Sequence, residues 1–202
     1  MDTLRDRLLA RRRWYHGWKQ LISAERAMRM VVADHLRPEP GDRVLDVGCG
    51  DGDIRPLLGD VDYTGVDFNA DYIRSAQSLA DDTTRFLQAD VADLPKLGFD
   101  EFDVVFAYGV LHHLSDDECL GLIESVSHVL ADGGRLVSID PVFEPTQRTT
   151  ARVLAALDRG RYVRAPSGYR QVVESHLAIK NLTIRQDLLP FPYSHCVIEA
   201  TL

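Results

Sequence analysis

Long apolar runs are missing from this chain of 202 residues. None approaches the roughly 18 residues of a membrane helix, so no membrane span is expected. Cysteine is scarce. Cys49, Cys119 and Cys196 are odd in number and far apart, which excludes a disulfide framework and any metal-ligand spacing. Reduced thiols and a cytoplasmic location follow as expectations. The arginine-rich start has neither the apolar stretch nor the small-residue cleavage site of a secretory leader. Repeats, low-complexity segments and an internal linker are absent as well, so one domain is expected. Positive charge is short: 23 basic residues against 31 acidic ones give −8. Residues 42–103 are the extreme, with 5 basic and 15 acidic side chains, a balance of −10. An acidic middle of that kind argues against nucleic acid as a partner, because phosphate binding depends on Lys and Arg.

What is present is an average globular composition, 45% hydrophobic and 27% charged. Two helices, broken near Gly17, are expected over residues 1–40, the second stopping before Pro38. From 41 onward short apolar runs alternate with helical stretches. Strands are expected at 43–47, 63–66, 85–88, 102–108, 135–139, 181–188 and 194–200. Asn69 is placed to cap a helix reaching about 79. Ser115 and Glu118 form a capping box for a helix to about 130, ended by Gly133-Gly134. Further helices are expected near 54–58, 147–159 and 167–178. Strands separated by helices mean a mostly parallel sheet covered on both faces. The last two strands have no helix between them and must form an antiparallel hairpin. The expected architecture is α/β, a three-layer αβα sandwich with an antiparallel sheet edge.

In such a sheet ligands bind beyond the carboxyl ends of the strands. The first strand is followed by Asp46-Val-Gly48-Cys49-Gly50-Asp51-Gly52, whose alternating glycines allow a tight bend and close approach of a ligand. After the second strand Asp67 is placed to accept hydrogen bonds from a ribose diol. Asp90 and Val91 follow the third strand and suit an adenine edge. Tyr108, His112 and His113 follow the fourth. A dinucleotide site would need a third glycine where Asp53 stands, and the acids around the bend oppose a pyrophosphate. They suit a ligand with an ammonium and a sulfonium instead.

Val44-Leu-Asp-Val-Gly-Cys-Gly-Asp-Gly52, Gly65-Val-Asp67, Ala89-Asp90 and Leu111-His-His-Leu114 together resemble the class I S-adenosylmethionine-dependent methyltransferases. The resemblance is to the small-molecule branch, type 11/12-like, and covers roughly 43–140. It implies a Rossmann-like seven-stranded sheet with a reversed last strand, S-adenosylmethionine as cofactor and S-adenosylhomocysteine as product. By position it puts Asp46, Gly48, Cys49, Gly50 and Gly52 on the cofactor's amino-acid part, with Cys49 a small loop filler rather than a nucleophile. Asp67 then takes the ribose, and Phe68, Asp90 and Val91 the adenine, with Tyr108 completing the pocket. His113 and His112 are candidate general bases, and packing is their alternative role.

The acceptor is expected to be a small molecule, methylated on a hydroxyl. The segment 146–170 has six arginines against Asp158 alone and lies in a basic helical insertion at about 144–166. A solvated face is one explanation; an anionic acceptor held by Arg148 and Arg152 is the other. Trp14 and Tyr15 in the N-terminal helices, and Tyr193 and His195 at the last strand, are further substrate candidates. The fourth strand's end lacks the Asp/Asn-Pro-Pro-aromatic motif of DNA adenine methylation and the cysteine of pyrimidine methylation. Protein-arginine methylation needs paired glutamates, and no acid ends the fourth strand for a divalent ion, so no metal is expected. An inactive cofactor-binding partner subunit is the alternative to an enzyme; either would be a monomer or homodimer.

Overall fold

The computed structural model describes residues 24–145, 147–157 and 161–202. Trp14 and Tyr15 lie outside the described residues, as does the break near Gly17. The first described element is α1 (Ala24–Val31), continued by a single π turn, Val32–Leu36. Arg37, at φ 41°, ends that turn by donating its N–H to the Val32 carbonyl (2.7 Å). The strands are β1 (Arg43–Val47), β2 (Asp62–Asp67), β3 (Thr84–Gln88), β4 (Phe102–Tyr108), β5 (Leu130–Pro141), β6 (Ala178–Arg185) and β7 (His195–Thr201). Between them run α2 (Ala70–Ala76), α3 (Asp116–Val129), α4 (Thr149–Leu157) and α5 (Pro166–Val173). Only a 3-10 turn, Arg55–Leu57, follows β1. Among the described residues no helix is long and apolar enough to cross a membrane.

The seven strands lie in the order β3-β2-β1-β4-β5-β7-β6. β1 to β5 are parallel, while β7 runs antiparallel to both β5 and β6. As expected, the last strand, β7, is the reversed one and forms an antiparallel hairpin with β6 at the sheet edge. Within that hairpin β7 lies one place inside, and the outermost strand β6 points the same way as β1–β5.

Alternation along the strands builds two cores. On one face Leu45, Val47, Val105 and Ala107 pack with Leu122, Ile123 and Val126 of α3 and Tyr169 and Val173 of α5. On the other, Val44, Val104 and Phe106 pack with Ala27 and Val31 of α1 and Ile73 and Ala76 of α2. The result is a three-layer αβα sandwich.

Asn69 caps α2 by accepting from the Asp71 N–H (2.9 Å). At α3 the Ser115 hydroxyl accepts from the Glu118 N–H while the Glu118 carboxylate accepts from the Ser115 N–H (2.7 Å). Gly133-Gly134 does not end that helix. α3 stops at Val129, and the glycines form a bulge inside β5, where pairing jumps from Phe102–Leu130 to Val104–Arg135. A Cβ on Gly134 would stand 2.8 Å from the Phe102 carbonyl, so only glycine fits there.

Candidate active site

The strand order changes direction at β1: its sequence neighbour β2 lies on one side and β4 on the other. A crevice opens at such a point, above the carboxyl ends. β1 ends on the glycine bend. Gly48, Gly50 and Gly52 all take left-handed φ, 74°, 55° and 76°. A Cβ on Gly48 would lie 2.7 Å from Val110 and one on Gly52 2.8 Å from Phe86, so both edges of the bend are closed by packing. Above Gly50 there is open space within 4 Å. The middle of the bend therefore presents bare backbone to the crevice.

Asp67 ties this bend to β2. One carboxylate oxygen accepts from the Gly50 N–H (3.0 Å) and the other from the Asn69 N–H (2.8 Å). Burial pushes its pKa above the ordinary carboxylate value, against the pull of those two hydrogen bonds. Phe68 next to it is 61% exposed, an apolar ring beside a polar cleft. Asp46 sits deeper, at the end of β1, and accepts from the Tyr63 hydroxyl (2.6 Å). Burial pushes its pKa up to about 7; the Tyr63 bond opposes the shift and the Asp67 charge adds to it. Cys49 is half-buried with its thiol held well above its usual range, by burial and then by the charges of Asp46 and Asp67. That environment disfavours a thiolate nucleophile. Asp90 is exposed and caps the next 3-10 turn, Val91–Lys96, accepting from the Ala92 N–H (3.0 Å).

β4 ends at Tyr108, and a 3-10 turn, Leu111–His113, carries the two histidines. Their positions differ. His113 is exposed, whereas His112 is only 4% exposed, its ring 4.1 Å from that of His113. His112 Nδ1 lies 2.8 Å from Asp140 Oδ1, and the His112 backbone N–H donates to the same oxygen (3.1 Å). Asp140 is the penultimate residue of β5, 1% exposed, and its Oδ2 is buried with no hydrogen-bond partner. The pair arises because β5 lies beside β4 in parallel, with Tyr108 opposite Ile139. β7 begins at the same end: His195 pairs with Pro141, and its ring lies 5.0 Å from Tyr193 and 6.5 Å from Tyr108.

Among the described side chains of α4, Ala151 and Ala155 are buried while Val153 is exposed. Arg148 and Arg152 are exposed, and Arg152 lies over the Phe143 ring at 5.5 Å. Arg159 falls outside the described residues. Arg170 pairs with Glu174 (2.8 Å). Arg164 turns inward and bonds the β4–α3 loop. Two residues that composition and spacing did not single out for these roles are therefore Asp140, as the partner of His112, and Arg164. An acid ending the strand next to a histidine-bearing one was the available signal for the first. Nothing local marked the second among six arginines.

A family model described as a methyltransferase domain matches residues 44–134, the stretch from β1 to the bulge of β5. Over that stretch the chain is similar to S-adenosylmethionine-dependent class I methyltransferases. Among curated relatives, 27-O-demethylrifamycin SV methyltransferase of Amycolatopsis mediterranei is 37% identical over 145 residues, covering 65% of this chain and 52% of that protein. The ubiquinone biosynthesis O-methyltransferase of Psychrobacter arcticus is 30% identical, covering 65% of this chain and 57% of its own. The chain spans about half the length of the curated relatives it matches. Among solved structures, a TehB-like S-adenosylmethionine-dependent methyltransferase of Corynebacterium glutamicum superposes with a TM-score of 0.67. It is 20% identical and covers 94% of this chain and 96% of the other, a likeness of fold. The glycine bend and Asp67 thus stand at the carboxyl ends of β1 and β2, and the His112–Asp140 pair at those of β4 and β5.

Proposed function

We propose that the protein transfers a methyl group from S-adenosylmethionine to a hydroxyl of a small molecule. The observation that carries this reading is the buried His112–Asp140 pair beside a glycine-lined cleft. The residues fit the cofactor. Bare backbone at Gly50 admits a close-lying chain, Asp67 keeps acceptor positions beyond the two used by Gly50 and Asn69, and Phe68 offers a ring face. When bound there, S-adenosylmethionine supplies an electrophilic methyl on a positively charged sulfur.

The chain's own residues supply the rest. With the proton on His112 Nδ1 donated to Asp140, Nε2 carries a lone pair and takes the proton of the attacking hydroxyl. Asp140 fixes the tautomer and faces the imidazolium that results. Its buried, unpartnered Oδ2 is costly on its own, and a positive imidazole alongside offsets that cost. Tyr108, Tyr193 and His195 wall the acceptor side with aromatic surface. Both relatives described above are named for methylation at oxygen, which supports a hydroxyl acceptor. The reading is tested by incubating the protein with S-adenosylmethionine and a panel of phenols, hydroxy acids and polyols. Acceptor-dependent S-adenosylhomocysteine together with a methyl ether in the mass spectrum supports it; donor breakdown without any methylated product across the panel opposes it and favours a binding subunit.

Asp46 makes cofactor binding pH-dependent. In the ligand-free fold it holds a proton up to about pH 7, whereas unfolded it would lose it near pH 4. Between those values the folded state binds the extra proton, so this group's contribution to stability is full in acid and is lost as pH rises through 7. A ligand ammonium at the bend favours the ionised form. S-adenosylhomocysteine should therefore bind more tightly at pH 8 than at pH 6, by up to roughly tenfold, with proton release. Calorimetry in two buffers of different ionisation enthalpy measures the release, which Asp46→Asn should abolish; equal affinity at both pH values would contradict this role.

Arg148 and Arg152, exposed on α4, are the insertion's candidates for an anionic acceptor. Replacing both by alanine should raise the acceptor KM by roughly tenfold, the worth of one charge-assisted hydrogen bond, and leave S-adenosylhomocysteine affinity unchanged. An unaltered KM for a carboxylated or phosphorylated acceptor would remove the idea.

A further inference from the structure

We infer that Arg164, which turns inward near the end of the insertion, is a positioning residue that holds the two halves of the His112–Asp140 pair in register. The inference rests on the reading of His112 as the base. Arg164 joins both segments at once. Its side chain, 9% exposed, grips the turn that carries His112: Nη1 donates to the Leu111 carbonyl and Nη2 to the Leu114 carbonyl, each at 2.8 Å. Nη1 also meets the Tyr162 carbonyl (3.1 Å), while Nε and Nη2 share Asp116 Oδ1 at the start of α3 (2.9 and 2.7 Å). Every donor group of the fork is thus used, and the orientation is fixed by geometry as well as by charge.

The backbone of Arg164 holds the other half. Its carbonyl accepts from the Phe143 N–H (3.0 Å), and it bridges Val142, two residues beyond Asp140. Tyr169 reinforces this side, its hydroxyl donating to the Pro141 carbonyl (2.7 Å) while its ring lies under the Arg164 guanidinium at 5.7 Å. The Tyr162 N–H completes the frame by donating to the His112 carbonyl (3.0 Å). A residue needed only to neutralise Asp116, which is exposed, would have no reason to be buried against two carbonyls of another loop. The charge in this part of the insertion therefore serves the geometry of the base rather than the charge of the acceptor.

Two variants separate positioning from scaffolding. Arg164→Lys keeps the charge facing Asp116 but cannot bond the Leu111 and Leu114 carbonyls together. Gly168→Ala acts indirectly: its Cβ would stand 3.2 Å from Arg164 Cβ and 3.5 Å from Cδ, which shifts the arginine stem. Alanine is the better helix former within α5, so melting temperature should hold or rise. The readout is the two-bond proton–nitrogen spectrum of His112, with and without S-adenosylhomocysteine. The native protein should show one tautomer, with the proton on Nδ1. Arg164→Lys should show averaging of both tautomers, and Gly168→Ala a smaller change in the same direction, with S-adenosylhomocysteine affinity within about twofold of native. A native His112 pattern in both variants overturns the inference, as does loss of S-adenosylhomocysteine binding in parallel with the pattern. If Arg164→Lys does not fold, Gly168→Ala decides alone. A native protein that binds no S-adenosylhomocysteine would instead sink the cofactor reading, and the His112 spectrum would still report on Arg164.

Discussion

Replacing Asp67 by alanine should weaken S-adenosylhomocysteine binding by about a hundredfold or more. The carboxylate has about four acceptor positions, and the Gly50 and Asn69 amides occupy two of them. A ribose diol on the remaining positions makes two hydrogen bonds to a charged group, each worth about 1.5–3 kcal/mol. Their sum alone exceeds the roughly 2.8 kcal/mol that a hundredfold requires. A second loss adds to it, because the substitution also releases the Gly50 amide and with it the middle of the bend. Asp67→Asn keeps one acceptor oxygen and should fall between. Asp90→Ala should cost less than either, because Asp90 is exposed and already spends an oxygen on its own turn. Isothermal titration measures all three; native affinity in the Asp67→Ala protein would show that the ligand lies elsewhere.

Removing the base should act on rate rather than on affinity. His112→Ala should lower kcat by roughly 10²–10⁴, the contribution of a positioned proton acceptor, with the cofactor KM little changed. Asp140→Asn should cost nearly as much. An amide in that place can donate to Nδ1, which puts the ring proton on Nε2, where a base needs a lone pair. The double variant should be hardly worse than His112→Ala, since the two act as a unit. His113→Ala should cost far less, because His113 is exposed and His112 is the ring held by Asp140. Steady-state rates on an acceptor found by the panel assay measure each, and additive losses for the double variant would show that the residues act separately.

The parts of this molecule that could be read from the chain are those governed by neighbours in sequence. The capping box of Ser115 and Glu118 and the cap at Asn69 form within a few residues and appear as expected. The glycine bend was legible for the same reason, since alternating glycines announce left-handed backbone before any fold is known. Strand alternation gave the layers. What could not be read from the chain involves decisions made by distant residues. Gly133-Gly134 reads as a helix stop, and whether it becomes a bulge depends on the Phe102 carbonyl lying against it. The place of β7 is set by its pairing with β5, more than fifty residues earlier in the chain. Asp140 and His112 are 28 residues apart, and the register of two parallel strands joins them. Arg164 is one of six arginines alike in local sequence; burial against Leu111 and Leu114 sets it apart. On α4 Ala151 and Ala155, one turn apart, are buried, and Val153, halfway round the helix from both, is exposed.

A crystal structure with S-adenosylhomocysteine tests the central claim most directly. The ribose hydroxyls should lie within about 2.6–3.2 Å of the Asp67 carboxylate, the amino-acid end should run along Gly48–Gly52, and the sulfur should face His112. A ligand seated elsewhere, or a ribose out of reach of Asp67 while another group holds it, would contradict the account.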